Sequence, residues 1–267
     1  MQLAKWARLL GRTAAAVCPY SLSLLLRQPR QVRAFLSTVA KAAFAFGGAR
    51  IRPLDADDLP VDDTPVRLPS ALFSNAKIDP GEYGWLARLA RSVAPKRIFE
   101  IGTLHGVSAL TLAQNCPEAT ICTLDLPLEH DPQATALGTD RELVVRRGPI
   151  RVFDAEPERE RIVTLTGDSL EFDFGPYCGS MDVVFVDGAH EWRWVESDSQ
   201  NALRMVAPGG MVIWHDYGHR GEAADVTEYL EALDRQLGGR LRWVRGTSLV
   251  FYPAAGHREG VPIHGSA

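Results

Sequence analysis

The first 54 residues contain no aspartate or glutamate, although Lys5, Arg8, Arg12, Arg27, Arg30, Arg33, Lys41, Arg50 and Arg52 all fall there. The chain also has no apolar run of the roughly 20 residues that an ordinary transmembrane helix needs. The uncharged stretch at residues 13–26, TAAAVCPYSLSLLL, is too short and is interrupted by Pro19. A secretory signal is a further reading of this stretch, although no convincing small-residue cleavage site follows it. Cysteine is scarce: Cys18, Cys116, Cys122 and Cys178 include no C-x-x-C pair, so neither a zinc site nor a disulfide framework is indicated. A reducing, cytoplasmic setting is expected. A net charge of -4 argues against general nucleic-acid binding. The G-x-G-x-x-G spacing of dinucleotide binders is missing as well.

What is present divides the chain unevenly. Its 267 residues suit one domain with an appendage. Residues 1–54 form a basic N-terminal segment expected to be helical. Two readings of it stand side by side: an amphipathic element lying on an anionic membrane, so that the protein is peripheral to it, and a cap on the main domain or on the second subunit of a homodimer. Residues 55–78 are acidic and carry prolines, as linkers do. Residues 79–253 are the expected domain, and 254–267 a loose tail.

Inside the domain, strands and helices alternate. Asp79 and Pro80 open a helix with Tyr83, Leu86, Leu89, Ala90 and Val93 on its apolar face. Strands are expected at 97–101, 120–124, 161–165, 181–186, 211–214, 241–245 and 248–252. The run MDVVFV at 181–186 is apolar throughout, as strands buried on both faces are. Helices are expected from Val107, from Glu191 and around Val226–Leu233, with Pro208–Gly209–Gly210 stopping the second of these. The fold class that follows is α/β: a doubly wound, mostly parallel seven-stranded sheet with helices on both faces. Residues 127–160 exceed an ordinary connection and read as an insertion around a crossover helix, either a lid or a surface excursion.

Polar residues recur just past the strand ends: Glu100 and Gly102, then Asp125, Asp168 and Ser169, Asp187 and His190, and His215 and Asp216. In open α/β sheets ligands bind there. The first turn reads E-x-G-x-x-x-G. Its glycines allow close backbone approach to a ligand, and the helix that follows favours a negative group at its start. Asp125, about 20 residues on, suits the two hydroxyls of a ribose.

The stretches FEIGTLHGVS, TLDL, LTGDS, VFVDGAHEW, APGGMVIWHDYG and GTSLVFY together resemble a class I S-adenosylmethionine-dependent methyltransferase. VDGAH with PGGMVIWHDY is similar to the group related to macrolide-sugar O-methyltransferases and cephalosporin-pathway proteins. The resemblance implies S-adenosyl-L-methionine as cofactor, bound by Glu100, Gly102, Thr103 and Gly106 at its amino-acid end, with Ser108 at the helix start. Asp125 would take the ribose, Asp168 and Ser169 the adenine, and Asp187 would face the reactive centre. It implies methyl transfer to the oxygen of a small molecule, such as a sugar or secondary metabolite.

The catalytic candidates are His215, Asp187 and His190, histidine being the side chain best suited to accept a proton near neutral pH. His105 is expected to line the cofactor pocket, and His219 is a weaker candidate. Related metal-dependent enzymes imply a divalent metal on Asp187, His215 and Asp216. That mixed set departs from the all-oxygen set usual for magnesium and suits manganese, iron or zinc. Trp192, Trp194, Trp214 and Tyr217 are candidates for an acceptor pocket, with core packing the expected role of Trp194 and Trp214. The competing readings are a cofactor-binding subunit without transfer and a nicotinamide oxidoreductase, which the glycine spacing disfavours.

Overall fold

The computed structural model describes residues 50–55, 59, 64–74, 79–129, 138–146, 148–219 and 223–256. These belong to the second of two units, residues 47–267. Residues 1–49, and with them the membrane and subunit-cap readings, lie outside the described residues. Among the described residues no helix is long and apolar enough to cross a membrane.

An eight-stranded sheet forms the centre. Its strands are β1 (Pro53–Leu54), β2 (Arg97–Ile101), β3 (Thr120–Asp125), β4 (Ile162–Thr166), β5 (Met181–Val186), β6 (Val206–Trp214), β7 (Arg242–Val244) and β8 (Val250–Pro253). They lie in the order β1-β7-β8-β6-β5-β2-β3-β4. All neighbours pair in parallel except β8, which is antiparallel to both β6 and β7. The chain starts the central sheet at β2, builds outward through β3 and β4, then returns to add β5 and β6 on the other side. The order therefore reverses between β2 and β5, where such sheets leave a crevice at their carboxyl ends.

Helices α1 (Ala71–Ser74), α2 (Pro80–Arg91), α3 (Val107–Asn115), α4 (Gly138–Arg146), α5 (Trp192–Met205) and α6 (Ala224–Gln236) accompany the sheet. Asp79 caps α2 by accepting from the Gly81 amide, with Pro80 in the first turn. The core is centred on Ile98, Phe99, Val183, Val184, Phe185 and Ile213, each at most 1% exposed. Burying side chains of this size contributes on the order of 1.5–3 kcal/mol apiece.

Three differences from expectation have physical causes. The strand β1 is additional: Arg52 and Leu54 carbonyls accept from the Trp243 and Arg245 amides, so the sheet takes in residues before the linker. Arg161 is not in β4. It ends the turn Pro157–Arg161, and its guanidinium donates to the carbonyls of Ala113, Cys116 and Ala119 around the end of α3. Pro208–Gly209–Gly210 does not cap α5, whose C-cap is Val206. It lies inside β6, where the register against β5 shifts, and a Cβ on Gly210 would stand 2.6 Å from the Asp182 carbonyl oxygen.

Candidate active site

The β2–α3 turn depends on two glycines. Gly102 has φ +103°, and a Cβ there would lie 2.0 Å from the Asp187 carbonyl oxygen. Gly106 caps α3 at φ +77°, and a Cβ there would lie 2.3 Å from the Phe153 ring. The close approach expected of a ligand is thus made by the protein itself, by the β5 tip on one side and residues 148–156 on the other. The Gly102 and Thr103 amides both donate to the Leu124 carbonyl, which ties the turn to β3.

Beneath the turn sits Glu100, with no exposed surface. Its Oε2 accepts from the Thr123 hydroxyl, and the Thr103 and Thr123 hydroxyls lie 2.6 Å apart. Its Oε1 has no hydrogen-bond partner among the described residues. Burial pushes this carboxyl up to about 8, against the pull of the Ser108 and Thr123 hydroxyls; the Asp187 and Asp125 carboxylates raise it further.

A cavity of about 410 Å³ opens over the strand tips, within the range of roughly 300–1,000 Å³ usual for small-molecule sites. Of the residues expected from sequence, Gly102, Thr103, Ser108, Asp125, Asp168, Ser169, Asp187, His190, His215 and Asp216 line it, as does His105. Glu100 and Gly106 stand behind the wall rather than on it. At the β3 end, Asp125 Oδ1 accepts from the Leu126 amide and Oδ2 meets Arg151 Nη2 at 3.0 Å. Beyond β4, Asp168 Oδ1 accepts from the Leu170 amide and, at 3.3 Å, from the Trp194 indole. Trp194 lines the cavity and is therefore not the core residue expected. Trp214 is: it is 1% exposed and donates to Ser199 Oγ. Tyr217 is also buried, its hydroxyl accepting from the Arg50 and Ile51 amides. Trp192 packs edge-on against Tyr229, and neither Trp192 nor Tyr217 reaches the cavity wall.

The opposite end of the cavity holds an alternating cluster of carboxylates and imidazoles. His215 Nδ1 lies 3.3 Å from Asp187 Oδ1 and 3.1 Å from Asp216 Oδ2. Its Nε2 faces Glu82 Oε2 at 3.6 Å. Asp216 Oδ2 also meets His190 Nε2 at 3.0 Å, and Asp140 on α4 holds His190 by both its ring Nδ1 and its backbone amide. His219 approaches Asp216 Oδ1 at 3.7 Å from the rim. Asp216 has φ +65°, a conformation that side chains rarely adopt and that recurs at functional sites.

These contacts set the charges. Burial alone would lower His190, but the Asp140 and Asp216 carboxylates outweigh it and push it up to about 10. His215 is likewise lowered by burial yet held well above its ordinary value by Asp216 and Asp187. Burial would raise Asp216, and the two imidazoles bring it well below the usual carboxylate range. Both ring nitrogens of His190 thus face carboxylates. Asp187, His215 and Asp216 can each offer one atom, all within 4.8 Å of one another, to a metal ion.

Four site residues were not singled out from the sequence as part of the site. Glu82 is buried on α2, its Oε1 accepting from the Ser248 amide. Its signal was available, since Glu82, Leu86 and Leu89 share one helical face. Tyr83 lines the cavity from the same turn, and burial raises its hydroxyl, with Asp187 adding to the effect. Asp140 and Arg151 lie in the long insertion, where no spacing marked them.

Residues 99–217, which carry most of this site, match a family described as a methyltransferase domain. The chain is 27% identical over 151 residues to a protein of Mycobacterium sp. (strain JLS) provisionally named an O-methyltransferase, covering 55% of this chain and 60% of that protein. It is 28% identical over 114 residues to the O-methyltransferase hkm8 of Aspergillus hancockii, covering 42% of this chain and 39% of that one. Both matches span less than two thirds of the relative's length. Among solved structures, the O-methyltransferase TomG from Streptomyces achromogenes, involved in tomaymycin synthesis and in complex with SAM, is similar at a TM-score of 0.47 and 18% identity, covering 72% of this chain and 93% of that one.

Proposed function

We propose, from the match of residues 99–217 to a methyltransferase domain, that this chain is a class I methyltransferase that moves a methyl group from S-adenosylmethionine to an oxygen of a small molecule, a sugar or a secondary metabolite. The observation that carries this reading is one cavity at the β2/β5 reversal with a polar ribose-and-adenine end and an acid–imidazole end. When bound, S-adenosylmethionine supplies an electrophilic methyl group on a sulfonium. Asp125 receives the ribose hydroxyls. Asp168 and Ser169 meet the adenine, with the Trp194 indole holding the Asp168 carboxylate in place. Thr103, Ser108 and the start of α3 take the amino-acid end, where helix amides favour a carboxylate. The Asp187 and Asp216 carboxylates favour the positive sulfonium beside them.

At the reacting end, Asp187, His215 and Asp216 suit a divalent cation of borderline type. His215 Nδ1 supports this: it is buried between two carboxylate oxygens and makes no well-directed hydrogen bond among the described residues. Such an ion would polarise an acceptor hydroxyl and ease loss of its proton. An ion held by Asp187 and Asp216 would take the Nδ1 lone pair and leave the imidazole N–H at Nε2, which faces Glu82 Oε2 at 3.6 Å.

Calorimetric titration with S-adenosylhomocysteine tests the binding half. The parent is expected to bind and Asp125→Ala to bind about 10–100-fold more weakly, the usual cost of a lost hydrogen bond to a charged group. No heat from the parent overturns the reading. Release of S-adenosylhomocysteine with a panel of hydroxylated small molecules tests transfer.

A further inference from the structure

We propose that Arg151, carried by the insertion between β3 and β4, is a cofactor-positioning residue: its guanidinium holds the Asp125 carboxylate in the orientation that receives the ribose hydroxyls. This rests on the S-adenosylmethionine reading of the cavity and assigns a role to a segment that the sequence left between lid and surface excursion.

The geometry is that of a fixed cation on a fixed carboxylate. Arg151 Nη2 stands 3.0 Å from Asp125 Oδ2, with the two side chains only 12% and 17% exposed. The guanidinium is itself anchored, since Nη1 donates to the Gly148 carbonyl. So is its backbone, whose amide donates to Asp154 Oδ2 at 2.7 Å. The segment is bound to the cofactor turn by the two residues that follow Arg151. The Val152 amide donates to the His105 carbonyl at 3.0 Å. Phe153 is fully buried against Gly106, in the space that any side chain there would need.

Arg151 does not line the cavity, whereas Asp125 does. The cation therefore acts on the ligand through the carboxylate. A nucleoside laid over Asp125 strips water from it, and an unpaired carboxylate would resist that loss. The guanidinium offsets it, and it also removes the rotamer freedom that binding would otherwise have to freeze. A carboxylate accepts at about four positions, so a guanidinium and ribose hydroxyls can share it.

The test is a cycle over protein and ligand. Affinities for S-adenosylhomocysteine and its 2′-deoxy counterpart are measured by calorimetry for the parent and for Arg151→Ala. The parent is expected to bind the deoxy compound more weakly than S-adenosylhomocysteine. Arg151→Ala is expected to bind S-adenosylhomocysteine about 10–100-fold more weakly than the parent and to lose most of its preference for the ribose hydroxyl. A variant that keeps the parent's preference, whatever its absolute affinity, overturns the proposal, because a merely structural role would weaken both ligands alike. Unchanged or tighter binding overturns it too. Should Arg151→Ala fail to fold, Arg151→Lys keeps the charge and loses the planar fork. It should show a reduced preference, and a full one overturns the proposal. If the parent does not bind S-adenosylhomocysteine at all, the methyltransferase reading itself falls, an outcome distinct from a retained preference.

Discussion

Glu100 holds a proton where an exposed glutamate would not. Its carboxyl is pushed from 4.5 to about 8 by burial. A carboxyl raised on folding contributes stability that is fully present below the unfolded value and is lost as pH rises through the folded one. Between about pH 4.5 and 8 the unfolded chain ionises freely while the folded chain keeps its proton. The melting temperature of the parent should therefore carry a downward component across this window, which Glu100→Gln, a neutral near-isostere, lacks. Thermal melts of both proteins at several pH values check this, and parallel curves would rule it out. That Glu100 matters was legible from one carboxylate inside an apolar strand. That it stands behind the wall, with the Thr123 hydroxyl donating to it, was not, because strand alternation gives a face but not the depth of a neighbour's turn.

Elements show the same division between local pattern and contact. Two glycines of similar appearance in sequence differ entirely in what surrounds them. Gly84 lies within α2, and a Cβ there would meet nothing within 4 Å. Gly84→Ala should stabilise the protein by about 0.5–1 kcal/mol through the smaller backbone entropy lost in a helix. Gly102→Ala should do the opposite, since it adds a Cβ 2.0 Å from the Asp187 carbonyl at φ +103°. The conformational strain alone is on the order of 1–3 kcal/mol, and relief of the clash would move the β5 tip. Chemical denaturation of the two variants checks the contrast in sign. Helix α2 itself was readable from Asp79, Pro80 and the spacing of Leu86 and Leu89. The helical spacing of α5 was legible too, but the burial of Asp198 and Ser199 on it was not. Ser199 is there to accept from the Trp214 indole.

At the scale of the whole molecule, strand order does the assembling. Adjacent parallel β5 and β6 bring Asp187 beside His215 and Asp216, although 27 residues separate Asp187 from His215. Helix α2, far earlier in the chain, closes the cluster with Glu82, and the insertion closes it from the other side with Asp140. If the cluster holds a cation, exhaustive chelation should abolish most turnover and added manganese should restore it. His215→Ala should lower turnover by about 100–10,000-fold, the usual worth of a positioned acid–base group, with affinity for S-adenosylhomocysteine nearly intact. Release of S-adenosylhomocysteine with an active acceptor measures both. Turnover indifferent to chelation removes the metal, and turnover equal in His215→Ala and parent removes the histidine.

The sequence by itself determined the alternation of strands and helices, the doubly wound class, and the identity of most of the polar residues at the strand tips. These follow from local patterns: apolar runs, glycine turns and caps act over a few residues and can be read in a line. Tertiary structure alone decided that Phe153 and the Asp187 carbonyl claim the space at the two glycines, and that Glu82, Asp140 and Arg151 hold the groups that face the cavity. Those contacts join residues whose spacing carries no period. Packing across the sheet and the path of one irregular insertion set them, and neither leaves a repeating mark in the chain.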